Sequence, residues 1–318
     1  MVNGVNTVSS RIDAARILRF YREADRAERL HLPFSVEDLT LVNFPGDGGL
    51  GDSVILTDLP RSAAFHNREV TVHSSSPFFK AVMKFNPYYK KGLSPFLVST
   101  NLVQTYDLGG GHVIQRFQRA YGFSTDARPR GCIEVPNARM TPGRMVLHFE
   151  PSSFVVDQRG AGIHPRPREV YPENMAIIQC FVRRHPEMHF CEVGCKSSGL
   201  RGVDDWTGLS MEETIERMAS CEYFVGVNSG PLHVAAALGL KLITIINFPD
   251  PTKIYLPLLK DIGLVDSQWL YPQSVLLHED GQGELVARFS LENLERAMNG
   301  ELYPYWSDQY LPLIYEKL

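Results

Sequence analysis

Long hydrophobic runs are missing from this chain, and so is any excess of positive charge. No stretch approaches the roughly 20 continuous apolar residues that a membrane-crossing helix needs, so no transmembrane segment is expected. Lys and Arg together number 32 against 36 Asp and Glu, a formal net charge of −4. That balance argues against a generic nucleic-acid binder, although a local basic cleft stays possible. Cysteines number five, an odd and widely scattered set, which points to reduced thiols and a cytoplasmic setting rather than a disulfide framework. The first residues carry Arg11, Asp13, Arg16, Arg19 and Glu23 without the apolar core of a secretory signal. Fixed-period repeats and low-complexity segments are lacking. So is a G-x-S-x-G elbow, which leaves nucleophilic serine catalysis without support.

What is present is ordinary for a folded protein: 44% apolar and 21% charged residues over 318 positions. A chain of that length predicts two domains of roughly 150 residues each. Ser10 to Leu30 has apolar positions at Ile12, Ala15, Ile17, Leu18 and Tyr21 among charges, the pattern of an amphipathic helix. Leu39 to Phe44 reads as a short buried strand, Gly46 to Gly51 as a loop, and Asp52 to Phe65 as a helix with Pro60 as a kink or a start. Glu69 to His73 is a second strand, which completes a β-loop-α-β unit. Ser74 to Phe96 reads as irregular, and Leu102 to Leu108 as a further strand followed by the Gly109–His112 turn.

Val135 to Arg144 is polar and turn-rich, which places the domain linker there. A second α/β series follows: strand Met145–Phe149, helix Asn174–Arg184, strand Met188–Val193, and a helix opened by the capping box of Ser210 and Glu213. Leu291 to Met298 is a last short helix. The expected fold class is α/β, with a first domain over residues 39–138 and a second over 139–300. A helical extension over 1–38 and a tail over 301–318 flank them.

The most informative stretch runs from Cys221 to Gly239 and on to Asn247. It reads as a buried strand, a Ser-Gly-Pro turn, a helix and a second buried strand. Pro231 suits the first helical position, which makes Gly230 the expected cap. The amides of Leu232 and His233 would then lack intrahelical partners and offer a seat for a phosphate or diphosphate. An ordinary strand–helix–strand unit of a parallel sheet explains the same pattern, and His233 has the alternative of being a cap or a packed core histidine. In the first half, Gly46, Gly48 and Gly51 match G-x-G-x-x-G, so dinucleotide binding competes. The next strand, however, ends in His73-Ser-Ser-Ser76 and supplies no ribose-binding carboxylate. His185, His189, Cys191 and Cys195 are zinc-ligand types, but their spacing follows no recognised knuckle and no metal is expected.

Two elements together resemble glycosyltransferase family 9, the heptosyltransferases. Gly51-Asp-Ser-Val-Ile-Leu-Thr-Asp-Leu-Pro60 is similar to the family's N-terminal "GD…P" element. Asn228-Ser-Gly-Pro-Leu-His-Val-Ala-Ala-Ala-Leu-Gly239 is similar to its "D-[ST]-G-x-x-H-x-x-A-A-L" element. The resemblance implies a GT-B architecture: two Rossmann-like domains facing across a cleft, with a C-terminal segment that often returns to the first. It implies transfer of a sugar, typically a heptose from an ADP-activated donor, with inversion, without a required metal and with no cofactor beyond the nucleotide-sugar co-substrate.

By that resemblance Asp52 is the general base, although Asp also suits a helix N-cap. Donor contacts fall to Asn228, Ser229, Gly230, Leu232 and His233, with Arg168 as a further phosphate contact; Lys253, after the last strong strand, is another candidate from its position alone, with a solvated surface lysine as the alternative. Gly49, Gly51, Gly110 and His112 form the acceptor-side loops. The chain departs from the pattern at Asn228, where the family is usually acidic. It departs again at Arg168 in Arg168-Glu-Val-Tyr-Pro-Glu173, one residue off the family's basic position before "W-P-E". The partners implied are a nucleotide sugar and a hydroxyl acceptor. A non-catalytic nucleotide-sugar binder and a nicotinamide-dependent oxidoreductase remain the alternatives.

Overall fold

The computed structural model describes residues 39–43, 49–74, 76–91, 96–99, 112–120, 122–149, 170–246, 269–279 and 287–302. The amphipathic segment 10–30, the strand expected over 102–108, the glycines at 46, 48 and 110, Arg168, Lys253 and the tail beyond 302 lie outside them.

The first unit is a parallel sheet in the order β2-β1-β3, formed by β1 (Leu39–Asn43), β2 (Thr71–Ser74) and β3 (Phe96–Ser99). Between β1 and β2 the sequence predicts one helix over 52–65, but two are found: α1 (Leu50–Ile55) and α2 (Asp58–Phe65). Pro60 explains the break. In a continuous helix its ring would strike the Leu56 carbonyl and leave that carbonyl without a donor; as the third residue of α2 it has no such cost. Thr57 stabilises the junction by donating to the Val54 carbonyl, accepting the Cys132 amide at 2.6 Å and offering its own carbonyl to Asn86 at 2.7 Å. The stretch expected to be irregular contains α3 (Phe79–Met83) and ends in β3. A further helix, α4 (Val113–Ala120), follows His112.

The second unit carries a seven-stranded sheet in the order β10-β9-β8-β7-β4-β5-β6, parallel throughout. Its strands are β4 (Arg144–His148), β5 (His189–Glu192), β6 (Asp204–Asp205), β7 (Tyr223–Val227), β8 (Lys241–Ile246), β9 (Val275–His278) and β10 (Ala287–Arg288). Both faces are covered, which is why the central strands read as unbroken apolar runs. Val146, Phe224 and Leu242 pack towards α6 (Met211–Met218) and α7 (Gly230–Leu238). Met145, Leu147, Val225, Ile243 and Ile245 pack towards α5 (Pro172–Arg184) and α8 (Leu291–Met298) on the other side. The sequence-derived capping box is present: Glu213 donates its amide to Ser210 Oγ at 3.3 Å, and the Ser210 amide reaches Glu213 at 3.1 Å.

Strand order reverses between β4 and β7, and a crevice outside the carboxyl ends of such a pair is where open α/β sheets bind ligands. β4 and β7 approach closely there because residue 226 is glycine. A Cβ on it would stand 2.3 Å from the His148 carbonyl oxygen. The two units share one apolar core, in which Leu50, Val54 and Ile55 of α1 join Leu232, Val234 and Ala235 of α7. Backbone bonds strap the connecting segment at both ends, Glu134 N–H to the Phe85 carbonyl at 2.8 Å and Thr141 N–H to the Ser220 carbonyl at 2.9 Å. Gly226→Ala is therefore expected to destabilise the protein by about 1–3 kcal/mol, the usual cost of overpacking a filled core. Urea unfolding of the variant measures it, and an unchanged midpoint would refute the close-approach argument.

Candidate functional site

The polypeptide leaves β7 at the switch point and turns into α7 through Asn228 and Ser229, both buried. The sequence places Gly230 as the cap; the cap is Ser229, with extended backbone (φ −151°, ψ −178°), and Pro231 takes the second helical position. The shift has a chemical consequence. Leu232 does not present an unpaired amide, because its N–H turns back on the Ser229 carbonyl at 3.0 Å, and its side chain is wholly buried. Gly230 is thus the first-turn amide at the helix mouth, where the positive end of the helix dipole lies. Gly239 ends the helix in the left-handed region at φ 81°.

The N-terminus of α1 meets this mouth directly. Asp52 is neither a loop residue nor the N-cap; it is the third residue of the helix, and its carboxylate accepts the amide of the capping Gly49 at 2.8 Å. Gly51 lies against His233: a Cβ there would stand 2.5 Å from Cδ2 and 3.0 Å from Nε2 of the imidazole. Gly230 lies against Leu50 in the same way, with a Cβ only 2.7 Å from that side chain. One glycine from each unit lets the two helix starts converge. The third glycine of the G-x-G-x-x-G pattern is thereby accounted for by helix–helix contact. Asp52 and His233, 181 positions apart in sequence, are brought to one junction.

His112, expected on an acceptor-facing loop, is instead completely buried. It opens α4 with reciprocal bonds: its Nδ1 accepts the Ile114 amide at 3.2 Å, and its own amide donates to Gln115 at 2.9 Å. Its ring stacks on Tyr271 at 4.2 Å and 28°. The nearby Trp269 backbone favours the charged ring, but more weakly than burial opposes it. Burial holds its pKa well below the ordinary histidine value, and neighbouring His233 lowers it further, so it is a neutral packing element. Tyr271, also wholly buried, hydrogen-bonds His233 Nδ1 at 2.8 Å. Nothing in the local sequence of Tyr271 marks it; only the fold brings it to His233.

His148 is a second residue that the motifs do not name. It ends β4 beside Gly226, is buried, and donates Nδ1–H to the Val193 carbonyl at 2.8 Å. A histidine inside the apolar run Met145–Phe149 was a readable signal. Beside it, the carboxylate of Glu192 at the end of β5 takes the Ser198 amide and Ser197 Oγ. Polar buried side chains thus collect at the carboxyl edge of the sheet.

The Pro172–Glu173 pair of the "W-P-E"-like element does open a helix, α5, and Glu279 accepts the Tyr171 amide at its start. The four zinc-ligand types are scattered in their bonding. His185 contacts Glu187 and Glu295, His189 contacts Asp204 and Arg144, Cys191 is buried beside Cys221, and Cys195 is exposed. Among the described residues no three His, Cys, Asp or Glu side chains group for a metal.

A double-mutant cycle tests the glycine-mediated junction. Gly230→Ala alone is expected to cost about 1–3 kcal/mol by overpacking Leu50. In a Leu50→Gly background, which removes the Leu50 Cβ that the new methyl would strike at 2.7 Å, much of that cost should vanish, a coupling of roughly 1 kcal/mol or more. Strict additivity in chemical denaturation would show that the two helix starts do not meet in solution.

Residues 206–269, which include the α7 mouth, match the family described as Glycosyltransferase family 9 (heptosyltransferase). No curated protein matches the chain in sequence. Among solved structures, the glycosyltransferase family 9 protein of Veillonella parvula superposes with a TM-score of 0.51 at 11% identity, over 84% of this chain and 98% of that one. E. coli heptosyltransferase WaaC with ADP gives 0.50 at 12% identity, over 83% and 98%. The chain covers 59% of the iron-containing dodecameric glycosyltransferase TibC of enterotoxigenic E. coli, at 12% identity, over 67% of this chain and with a TM-score of 0.44. The fold is GT-B, and residues 206–269 are similar in sequence to the heptosyltransferase family model.

Proposed function

We propose that the protein is an inverting glycosyltransferase that moves a heptose-like sugar from a nucleotide-diphosphate donor, an ADP-linked one by analogy with its structural neighbours, to an acceptor hydroxyl. The observation that carries the reading is the α1–α7 junction. A carboxylate from one unit and a helix mouth with a histidine from the other converge through Gly51 and Gly230. In the proposed reaction the acceptor oxygen attacks the anomeric carbon as Asp52 takes its proton. The bond from that carbon to the β-phosphate oxygen breaks on the opposite face, and the diphosphate leaves with the electron pair. The charge growing on that oxygen is met by the α7 dipole, the Gly230 amide and His233. No step in this scheme calls for a metal.

Asn228 tunes the donor side. It is buried at the end of β7, where the family pattern is acidic, so it offers a neutral amide that both donates and accepts hydrogen bonds. Sugar hydroxyls suit such a group, and the same substitution keeps a second reading in view: a protein that binds nucleotide sugars without transferring them.

The two readings separate in one experiment. Purified protein is titrated with ADP, ADP-heptose, other nucleotide sugars and NAD, and binding is followed by thermal shift and calorimetry. Stabilisation by a nucleotide sugar is expected, and stabilisation by NAD alone would replace the reading with an oxidoreductase. Asp52→Asn should leave donor affinity nearly intact while lowering transfer by about 10²–10⁴-fold, the usual contribution of a positioned base. Unimpaired turnover in that variant would remove the base assignment, and donor binding with no transfer to any acceptor would favour the non-catalytic reading.

A further inference from the structure

Resting on the glycosyltransferase reading of His233, we propose that Tyr271 is the positioning residue that fixes the His233 imidazole with its proton on Nε2, aimed at the junction with α1. Tyr271 lies between β8 and β9 and is inaccessible to solvent. Among the described residues its hydroxyl bonds to His233 Nδ1 alone, at 2.8 Å. A phenol and a neutral imidazole can share one hydrogen bond in two ways. If Nδ1–H donated to the phenol oxygen, the phenol proton would sit in the core without an acceptor among these residues, an arrangement that buried donors avoid. If the phenol donates to Nδ1, both groups are satisfied and the imidazole proton must lie on Nε2.

The ring's orientation gives that proton a direction. The Cδ2–Nε2 edge is the one that faces Gly51 of α1, the residue before Asp52. Three aromatic rings hold the edge there. Tyr271 meets the imidazole at 5.4 Å and 61°, Trp269 meets it at 5.8 Å and 76°, and His112 from the first unit stacks on the far face of the cluster against Tyr271. The phenol stays protonated throughout the working range, because burial raises its pKa well above the ordinary tyrosine value and the Asp58 carboxylate adds to the shift. Tyr271 thus sets the tautomer and the Nε2 edge lies at the start of α1, so a leaving diphosphate at the junction would meet an oriented N–H rather than a lone pair.

The test reads the tautomer directly. Protein labelled with ¹⁵N-histidine is examined at pH 7 by two-bond ¹H–¹⁵N correlation, with the His233 signals assigned by their loss in His233→Gln. The wild type should show the Nε2–H form. Tyr271→Phe, which removes only the hydroxyl, should move His233 to a mixture of tautomers and weaken ADP binding by about tenfold or more, the loss of one oriented hydrogen bond to a charged group. A wild-type Nδ1–H form, or signals unmoved by Tyr271→Phe, overturns the proposal whatever the activity. The Nε2–H form together with no affinity for any nucleotide would uphold Tyr271's role and sink the glycosyltransferase reading instead. Should Tyr271→Phe fail to fold, replacing tyrosines with 3-fluorotyrosine makes the phenol a stronger donor. The Nδ1 resonance must then shift, and an unmoved resonance overturns the proposal.

Discussion

Everything at the candidate site depends on two helix starts being allowed to touch. α1 and α7 belong to different units, and helices that bear ordinary side chains keep their axes 8–10 Å apart. Gly51 and Gly230 remove the atoms that would hold the starts away, so the imidazole of His233 occupies the place of one missing Cβ and Leu50 that of the other. The shared apolar core then locks the approach, with α1 residues and α7 residues buried against one another. The proposed chemistry, with a base from one side and a phosphate seat from the other, would depend on this contact.

Behind the contact the molecule is polar where a parallel sheet normally is. His148, Glu192 and Asn228 are all buried at the carboxyl ends of their strands. Such groups are costly unless bonded, and the bonds of His148 to Val193 and of Glu192 to Ser197 and Ser198 show how the cost is offset. The stack of His112, Tyr271 and His233 adds a rigid backing that crosses from the first unit to the second. In the proposed reaction the edge that would face the donor is thereby held in place beforehand, and dipoles fixed in this way act without reorganising.

The sequence made some of this readable and hid the rest for definable reasons. Strands buried on both faces announce themselves as apolar runs, so β7 and β8 and the helix between them stood out, as did the reciprocal cap at Ser210 and the span of α8. α3 is five residues among aromatics and prolines, too short for a helical period to emerge. α4 has the right pattern, with Val113, Ile114 and Phe117 inward, but follows a glycine turn that reads as loop. The break at Thr57 was concealed because a proline in a helical pattern marks either a kink or a start. At the site, Asp52 and His233 carried motif signals, whereas the purpose of Gly51 depends on a partner 182 residues away. Tyr271 lies in no motif, and its significance comes only from the ring it meets.

The bond between the Asp52 carboxylate and the Gly49 amide ties proton chemistry to backbone order. An ionised carboxylate is a strong acceptor for a helix-starting N–H and sits well against the positive end of the dipole, whereas a carboxylic acid is a weak acceptor and forfeits the charge. Whenever this side chain holds a proton, the opening turn of α1 is at its loosest, and Leu50 and Gly51 belong to that turn. Protonation of one oxygen thus slackens the very stretch of chain that presses on His233, and release of the proton tightens it again.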